Sequence, residues 1–91
     1  MPEKIIIYTP YAQKCLENIS LHISKDSIVR ANNFIDKIIN ETKKLEKFPK
    51  LGTKIEHKER KLLINKNYKI IYEIKEKNII ILYINNVNLN K

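Results

Sequence analysis

"LEKFPKLGTK", residues 45–54, holds the only glycine of the chain, Gly52, and one of its three prolines, Pro49. An amphipathic run leads into it and a β-branched, aromatic-rich run leaves it, so this stretch decides where helix gives way to sheet. Upstream, Ala31, Phe34, Ile35, Ile38, Ile39, Thr42, Leu45 and Phe48 recur at three- and four-residue steps, the stripe of a long helix. Pro49 lacks the amide that a helix needs and biases Phe48 away from helical geometry, so the helix ends there. Gly52 is expected to supply the backbone freedom that turns the chain toward its next element.

Toward the N-terminus, "SKDS" (24–27) is polar and offers Asp26 or Ser27 as the cap of that helix. Before it, Ala12, Cys15, Leu16, Ile19 and Ile23 mark an earlier amphipathic helix, with Thr9 as cap and Pro10 at its first position. "KIIIY" (4–8) is a short strand. Toward the C-terminus come "RKLLIN" (60–65), "YKIIYEIK" (68–75) and "IIILYI" (79–84), separated by Asn-Lys-Asn and Glu-Lys-Asn turns. The middle run alternates Tyr68, Ile70, Tyr72 and Ile74 against Lys69, Ile71, Glu73 and Lys75, whereas the last is apolar on both faces and belongs inside a sheet. The sequence thus predicts one domain over residues 1–91, of α+β class and order β-α-α-β-β-β. A helical hairpin packs on one face of an antiparallel four-stranded sheet, and the other face stays partly open.

Ninety-one residues bury only roughly 60–65% of their unfolded surface, so the core is small. The net charge is +8, and residues 43–69 hold ten basic groups against three glutamates. A local field of that kind favours an anionic partner, nucleic acid or an acidic protein, over the alternative of a merely solvated lysine surface. A single glycine excludes Gly-rich phosphate loops. Cys15 stands alone, so it forms neither an internal disulfide nor a thiolate zinc site, and its apolar neighbours make it a buried thiol. Paired carboxylates, metal-ligand spacing and a Ser/His/Asp set are not discernible, so no metal or cofactor is expected. The longest apolar run is six residues, Ile79 to Ile84, and no signal-peptide pattern is present, which points to a cytoplasmic protein without a membrane segment.

Four features, in this order and spacing, resemble the RelE/ParE family of toxins from bacterial type II toxin–antitoxin systems. They are "YTPYAQKCLENI" after the first strand, "LEKFPKLG" closing the second helix, Arg60-Lys61-Leu62 as an R-x-L strand, and "YKIIYEI" followed by "IIILYI". The resemblance covers residues 4–86. It implies a growth inhibitor held silent by a cognate antitoxin in a toxin–antitoxin hetero-oligomer. ParE-like members poison DNA gyrase, whereas RelE-like members are metal-independent endoribonucleases that cut mRNA in the ribosomal A site.

Cleavage through a ribose 2′-hydroxyl needs a proton acceptor, a proton donor and cations for the phosphorane charge. By the resemblance, Arg60 and Lys69 match basic residues on the family's strands and would bind phosphate, with Lys54, Lys58, Lys61 and Lys66 completing the target-binding footprint. His57 and His22 alone have ordinary pKa values near neutrality. His57, in "EHKERK", is a candidate base or simply an exposed loop histidine, and His22 caps the first helix or faces water. Tyr68 is a base-stacking candidate or a core residue. Many ribonuclease members end their last strand with a His or Asp, then an Arg, where this chain has Asn86 and Asn88, whose amides neither titrate nor carry charge. The expectation is therefore ParE-like inhibition of gyrase. The alternatives are a RelE-like ribonuclease using Arg60, Lys69 and His57, and a catalytically degenerate antitoxin-binding module.

Overall fold

A computed structural model describes residues 3–87. Strand β1 (Ile5–Tyr8) is followed by helices α1 (Pro10–Ser24) and α2 (Ile28–Lys43), a 3-10 turn at Lys44–Glu46, and strands β2 (Thr53–Glu56), β3 (Glu59–Ile64), β4 (Tyr68–Lys75) and β5 (Asn78–Asn86). Both helix starts follow from their capping residues. The Thr9 hydroxyl accepts from the Ala12 amide at 3.0 Å, and the Ser27 hydroxyl accepts from the Arg30 amide at 3.1 Å. Each satisfies an amide that the first helical turn would otherwise leave without a partner.

The sheet has five strands in the order β1-β5-β4-β3-β2, not the four expected, and it is mixed rather than wholly antiparallel. β1 runs parallel to β5, while the other three pairings are antiparallel. The parallel pair is possible because the helical hairpin and three strands separate the two segments, well beyond the dozen residues a crossover needs. The additional strand is β2. Its four residues, "TKIE", are exposed throughout, so it has no buried face to impose an alternating pattern. Its existence rests on the tight His57-Lys58 turn, where His57 takes a left-handed φ of 49°. β5 lies inside the sheet between β1 and β4, as its two apolar faces require.

Ile38, Leu45, Ile64, Ile70, Tyr72, Ile79, Ile81 and Ile84 form the centre of the core with Ala12 and Phe34 from the helices. Cys15 is half-buried at its margin. One buried polar side chain, Thr42, donates to the Ile39 carbonyl at 3.1 Å. Its single proton is thereby used, so the Tyr8 hydroxyl donates to Thr42 Oγ1 at 2.7 Å, tying β1 to α2. In β5 an extra residue, Leu82, sits between the pairs Ile71–Tyr83 and Tyr72–Ile81. This bulge lets Ile79, Ile81 and Ile84 all face the helices. Its backbone is satisfied locally: the Thr9 amide donates to the Ile81 carbonyl at 3.2 Å and the Thr9 hydroxyl to the Leu82 carbonyl at 3.2 Å.

At the helix-to-sheet junction, α2 stops at Lys43 and tightens into the 3-10 turn, which keeps Leu45 buried. Phe48 does not continue the stripe; it leaves the helix and is 62% exposed. Gly52 also has a different role from the one expected. Its φ is not positive, so the turn makes no demand for glycine's conformational freedom. The demand is for space: a Cβ there would stand 2.8 Å from the Lys61 carbonyl oxygen and 2.8 Å from Cε1 and Oη of Tyr72. Gly52→Ala should therefore lower stability by roughly 1–3 kcal/mol, the cost of overpacking a closed site. In a chain of this size that is a fall in Tm of at least about 4 °C in a thermal melt. An unchanged Tm would mean that the turn moves away freely.

Candidate functional site

Residues directly opposite one another in neighbouring strands share a face, so the register defines the open side of the sheet. One row runs Ile7–Ile80–Glu73–Glu59–Glu56 from β1 to β2, and the next runs Tyr83–Ile71–Lys61–Thr53. A third joins Asn85, Lys69 and Leu63. Lys61 and Lys69 are thus diagonal neighbours, about 7–8 Å apart at Cα. Both are half-buried, and Ile71 between them is 1% exposed although it lies on the face away from the helices.

The six candidate cations do not form one patch. Only Lys61 and Lys69 meet on the open face. Lys54 and Arg60 are cross-strand partners on the opposite side, Lys58 is exposed beside His57 in the β2–β3 turn, and Lys66 is exposed in the β3–β4 turn. β3 is six residues long, so roughly 20 Å of strand separates His57 from Lys66. His57 stands at the rim opposite Lys66, with Lys61 partway along β3 between them. His22 is exposed in the last turn of α1, and Tyr68 packs its ring 4.8 Å from that of Phe34 at the edge of the core. Asn86 closes β5 opposite Tyr68, while Asn88 falls outside the described residues.

Three features of the face were not singled out from sequence. The first is the glutamate row, Glu56, Glu59 and Glu73, laid across three adjacent strands beside the lysines. The second is Tyr83, whose ring lies 6.4 Å from that of Tyr11 at a tilt of 58°. Burial, then the charges of Glu59 and Glu56, then the neighbouring Tyr11 push the Tyr83 phenol above its ordinary pKa, so it remains protonated. The alternation in "YKIIYEIK" already put Lys69 and Glu73 on one face, but aligning Glu59 and Glu56 with them needs the hairpin registers. Among the described residues no cluster of three His, Cys, Asp or Glu side chains is placed to hold a metal. No helix among them is long and apolar enough to cross a membrane.

The third feature is a clamp behind this face. The Gly52 amide donates to Tyr72 Oη at 2.9 Å, and that hydroxyl donates in turn to the Pro49 carbonyl at 2.7 Å. Arg60 Nη1 donates to the Gly52 carbonyl at 2.7 Å. Burial raises the Tyr72 pKa, against the smaller opposing effects of the Gly52 hydrogen bond and the Arg60 charge. Arg60 is thus half-buried and occupied in holding the 49–52 turn.

A family model described as the ParE toxin of the type II toxin–antitoxin system parDE matches residues 6–87. The fold is similar to that of a chain from the chromosomal ParDE toxin–antitoxin system of P. aeruginosa, with a TM-score of 0.81 and 22% identity over 94% of this chain and 98% of that one. It is also similar to a chain from the toxin–antitoxin complex RelBE2 of Mycobacterium tuberculosis, with a TM-score of 0.64 and 14% identity over 94% and 99% of the two chains. No curated protein matches the sequence.

Tyr72→Phe would leave the Gly52 amide and the Pro49 carbonyl without their partner, at a cost of about 1–3 kcal/mol. Arg60→Ala should also lower the Tm, whereas Lys69→Ala should leave it nearly unchanged; thermal melts of the three variants check this ranking. A second signature is alkaline. Because the folded pKa of Tyr72 lies above 10.0, its proton is held more tightly in the folded state. The associated stability is whole below pH 10 and is lost as pH rises through the folded value. Chemical denaturation should therefore show stability falling above pH 10, less steeply in Tyr72→Phe than in the wild type.

Proposed function

Because the chain belongs to the family of ParE toxins of type II toxin–antitoxin systems, we propose that it arrests growth by binding DNA gyrase, and that a cognate antitoxin encoded beside it holds it silent. The observation that carries the choice of gyrase over RNA is the glutamate row. Three carboxylates aligned across β2, β3 and β4 match the three lysines of the open face, Lys61, Lys69 and Lys75, so that face offers a polyanion little net attraction. His57 lies out at the β2–β3 turn, and the amides of Asn85 and Asn86 at the end of β5 carry no titratable proton. A protein target makes no such demands.

A second reading has its own support on the same face. Glu59 or Glu73 could accept the 2′-hydroxyl proton, the protonated Tyr83 phenol could serve the leaving oxygen, and Lys61 with Lys69 could carry the phosphorane charge. That set would constitute a ribosome-dependent ribonuclease. The two readings separate cleanly in a side-by-side assay of gyrase supercoiling and of mRNA cleavage on translating ribosomes. Gyrase inhibition without cleavage is expected, and Glu59→Gln with Glu73→Gln should leave it within a few-fold. Cuts within codons that fall about 10²–10⁴-fold in those variants would establish the ribonuclease instead. Inactivity in both assays would leave a degenerate module that binds only its antitoxin. That antitoxin should raise the Tm on co-purification, since a ligand specific to the folded state stabilises it by mass action.

A further inference from the structure

The basic turn between α2 and β2 is built to present apolar side chains, not to bury them. Within eight residues, Phe48, Leu51 and Ile55 are 62%, 50% and 42% exposed. The backbone of residues 48, 49, 51 and 52 is nevertheless tied down. The Phe48 amide donates to the Lys44 carbonyl at 3.0 Å and the Leu51 amide to the Phe48 carbonyl at 3.0 Å. The Tyr72 hydroxyl then fixes Pro49 and Gly52, and Arg60 fixes Gly52 a second time. A loop that only linked helix to sheet would have no need of a buried tyrosine hydroxyl and an arginine to hold a segment that exposes Phe48 and Leu51. Such an arrangement is the one expected of a recognition element, because a pre-ordered backbone spares the ordering cost of association.

The charge around the turn identifies what would cover it. Lys47, Lys50 and Lys54 alternate with the apolar groups along the chain, and Phe48 borders a shallow concavity also lined by Lys43, Lys44, Glu46 and Lys47. Lys44 is engaged by Glu41 at 3.0 Å and Lys47 approaches Glu3 at 4.0 Å, but Lys43, Lys50 and Lys54 form no ion pair among the described residues. An apolar centre with a cationic rim complements a protein surface that has an apolar pocket edged by carboxylates. Nucleic acid satisfies the rim but only part of the centre: Phe48 has a π-face for a base, whereas Leu51 and Ile55 have none.

We propose that the clamped turn, residues 47–54, is the surface by which this toxin engages its protein target, with Phe48 and Leu51 entering an apolar pocket and Lys47, Lys50 and Lys54 facing carboxylates around it. This assignment rests on the proposal of a protein target, and it names the part of the molecule that makes the contact. It also accounts for the concentration of charge beside the chain's one glycine: the lysines direct the approach, and Gly52 lets the clamp close.

The test uses the full chain in two variants, Phe48→Ala/Leu51→Ala and Lys47→Glu/Lys50→Glu, each followed by growth arrest on induction, gyrase supercoiling, antitoxin binding and Tm. Both variants should keep the wild-type Tm and antitoxin affinity, because the substituted side chains are exposed. Both should lose growth arrest and inhibit gyrase about 30-fold less well, the fold-change of a hot-spot truncation. Wild-type arrest by the Phe48→Ala/Leu51→Ala variant overturns the proposal. So does loss of arrest by the charge-reversed variant alone, which would make the turn an electrostatic contact with nucleic acid. Weaker antitoxin binding with arrest intact overturns it as well, since the turn would then seat the antitoxin. Should the wild type arrest growth with gyrase untouched, the choice of gyrase fails. Growth arrest by the two variants then judges the turn by itself.

Discussion

The hydroxyl of Tyr72 sits where β4 passes beneath the junction between helix and sheet, and the arrangement of that junction depends on it. It accepts from one end of the 49–52 turn and donates to the other, in a space from which even a methyl group at Gly52 is excluded. Glycine, proline and tyrosine thus form one unit although 20 residues separate Gly52 from Tyr72. The proline bars a return to helical geometry, the glycine permits the approach, and the tyrosine converts that approach into paired hydrogen bonds in place of two unsatisfied polar groups. Arg60 enters the same unit from β3, so the side chain expected to reach for phosphate is engaged with backbone.

What was legible in the sequence followed from local rules, and what was not followed from pairing. Thr9 with Pro10, and Ser27, announced their helices because capping is decided within four residues. The strands of 60–65, 68–75 and 79–84 were legible because burial on one or both faces leaves a pattern. β2 left none: an edge strand exposed on both faces has no reason to alternate, and only its partner defines it. The parallel pairing of β1 with β5 is likewise a property of two segments some 70 residues apart, which no window of sequence contains. Gly52 was recognised as necessary for the wrong physical reason, since sequence cannot distinguish a glycine needed for its torsion from one needed for its size.

The site repeats that lesson with charge. Ten basic residues in 27 suggested a single cationic field, yet strand alternation distributes them over both faces and both ends of the sheet. Lys61 and Lys69 stay together because Lys61 opposes Ile71 and Lys69 is two residues before it. Glu59 and Glu73 join them by the same arithmetic, which turns an expected basic surface into a mixed one. Counting charges along the chain gave the sign of the region but not the sign of any one surface. The turn before β2, which is not a strand and so does not alternate, keeps Lys47 and Lys50 on one feature.

The parallel pairing of β1 with β5 also governs when this molecule comes into existence. β1 lies some 70 residues before the strand that pairs with it, Asn78–Asn86. Until that final strand is in place, β1 has no partner in the sheet, and the hydroxyl and amide of Thr9 lack the β5 carbonyls that receive them. Contacts between segments so far apart in sequence are slow to form. The β1 side of the core therefore stays open until β5 is in place, and closing the sheet is a late step of folding.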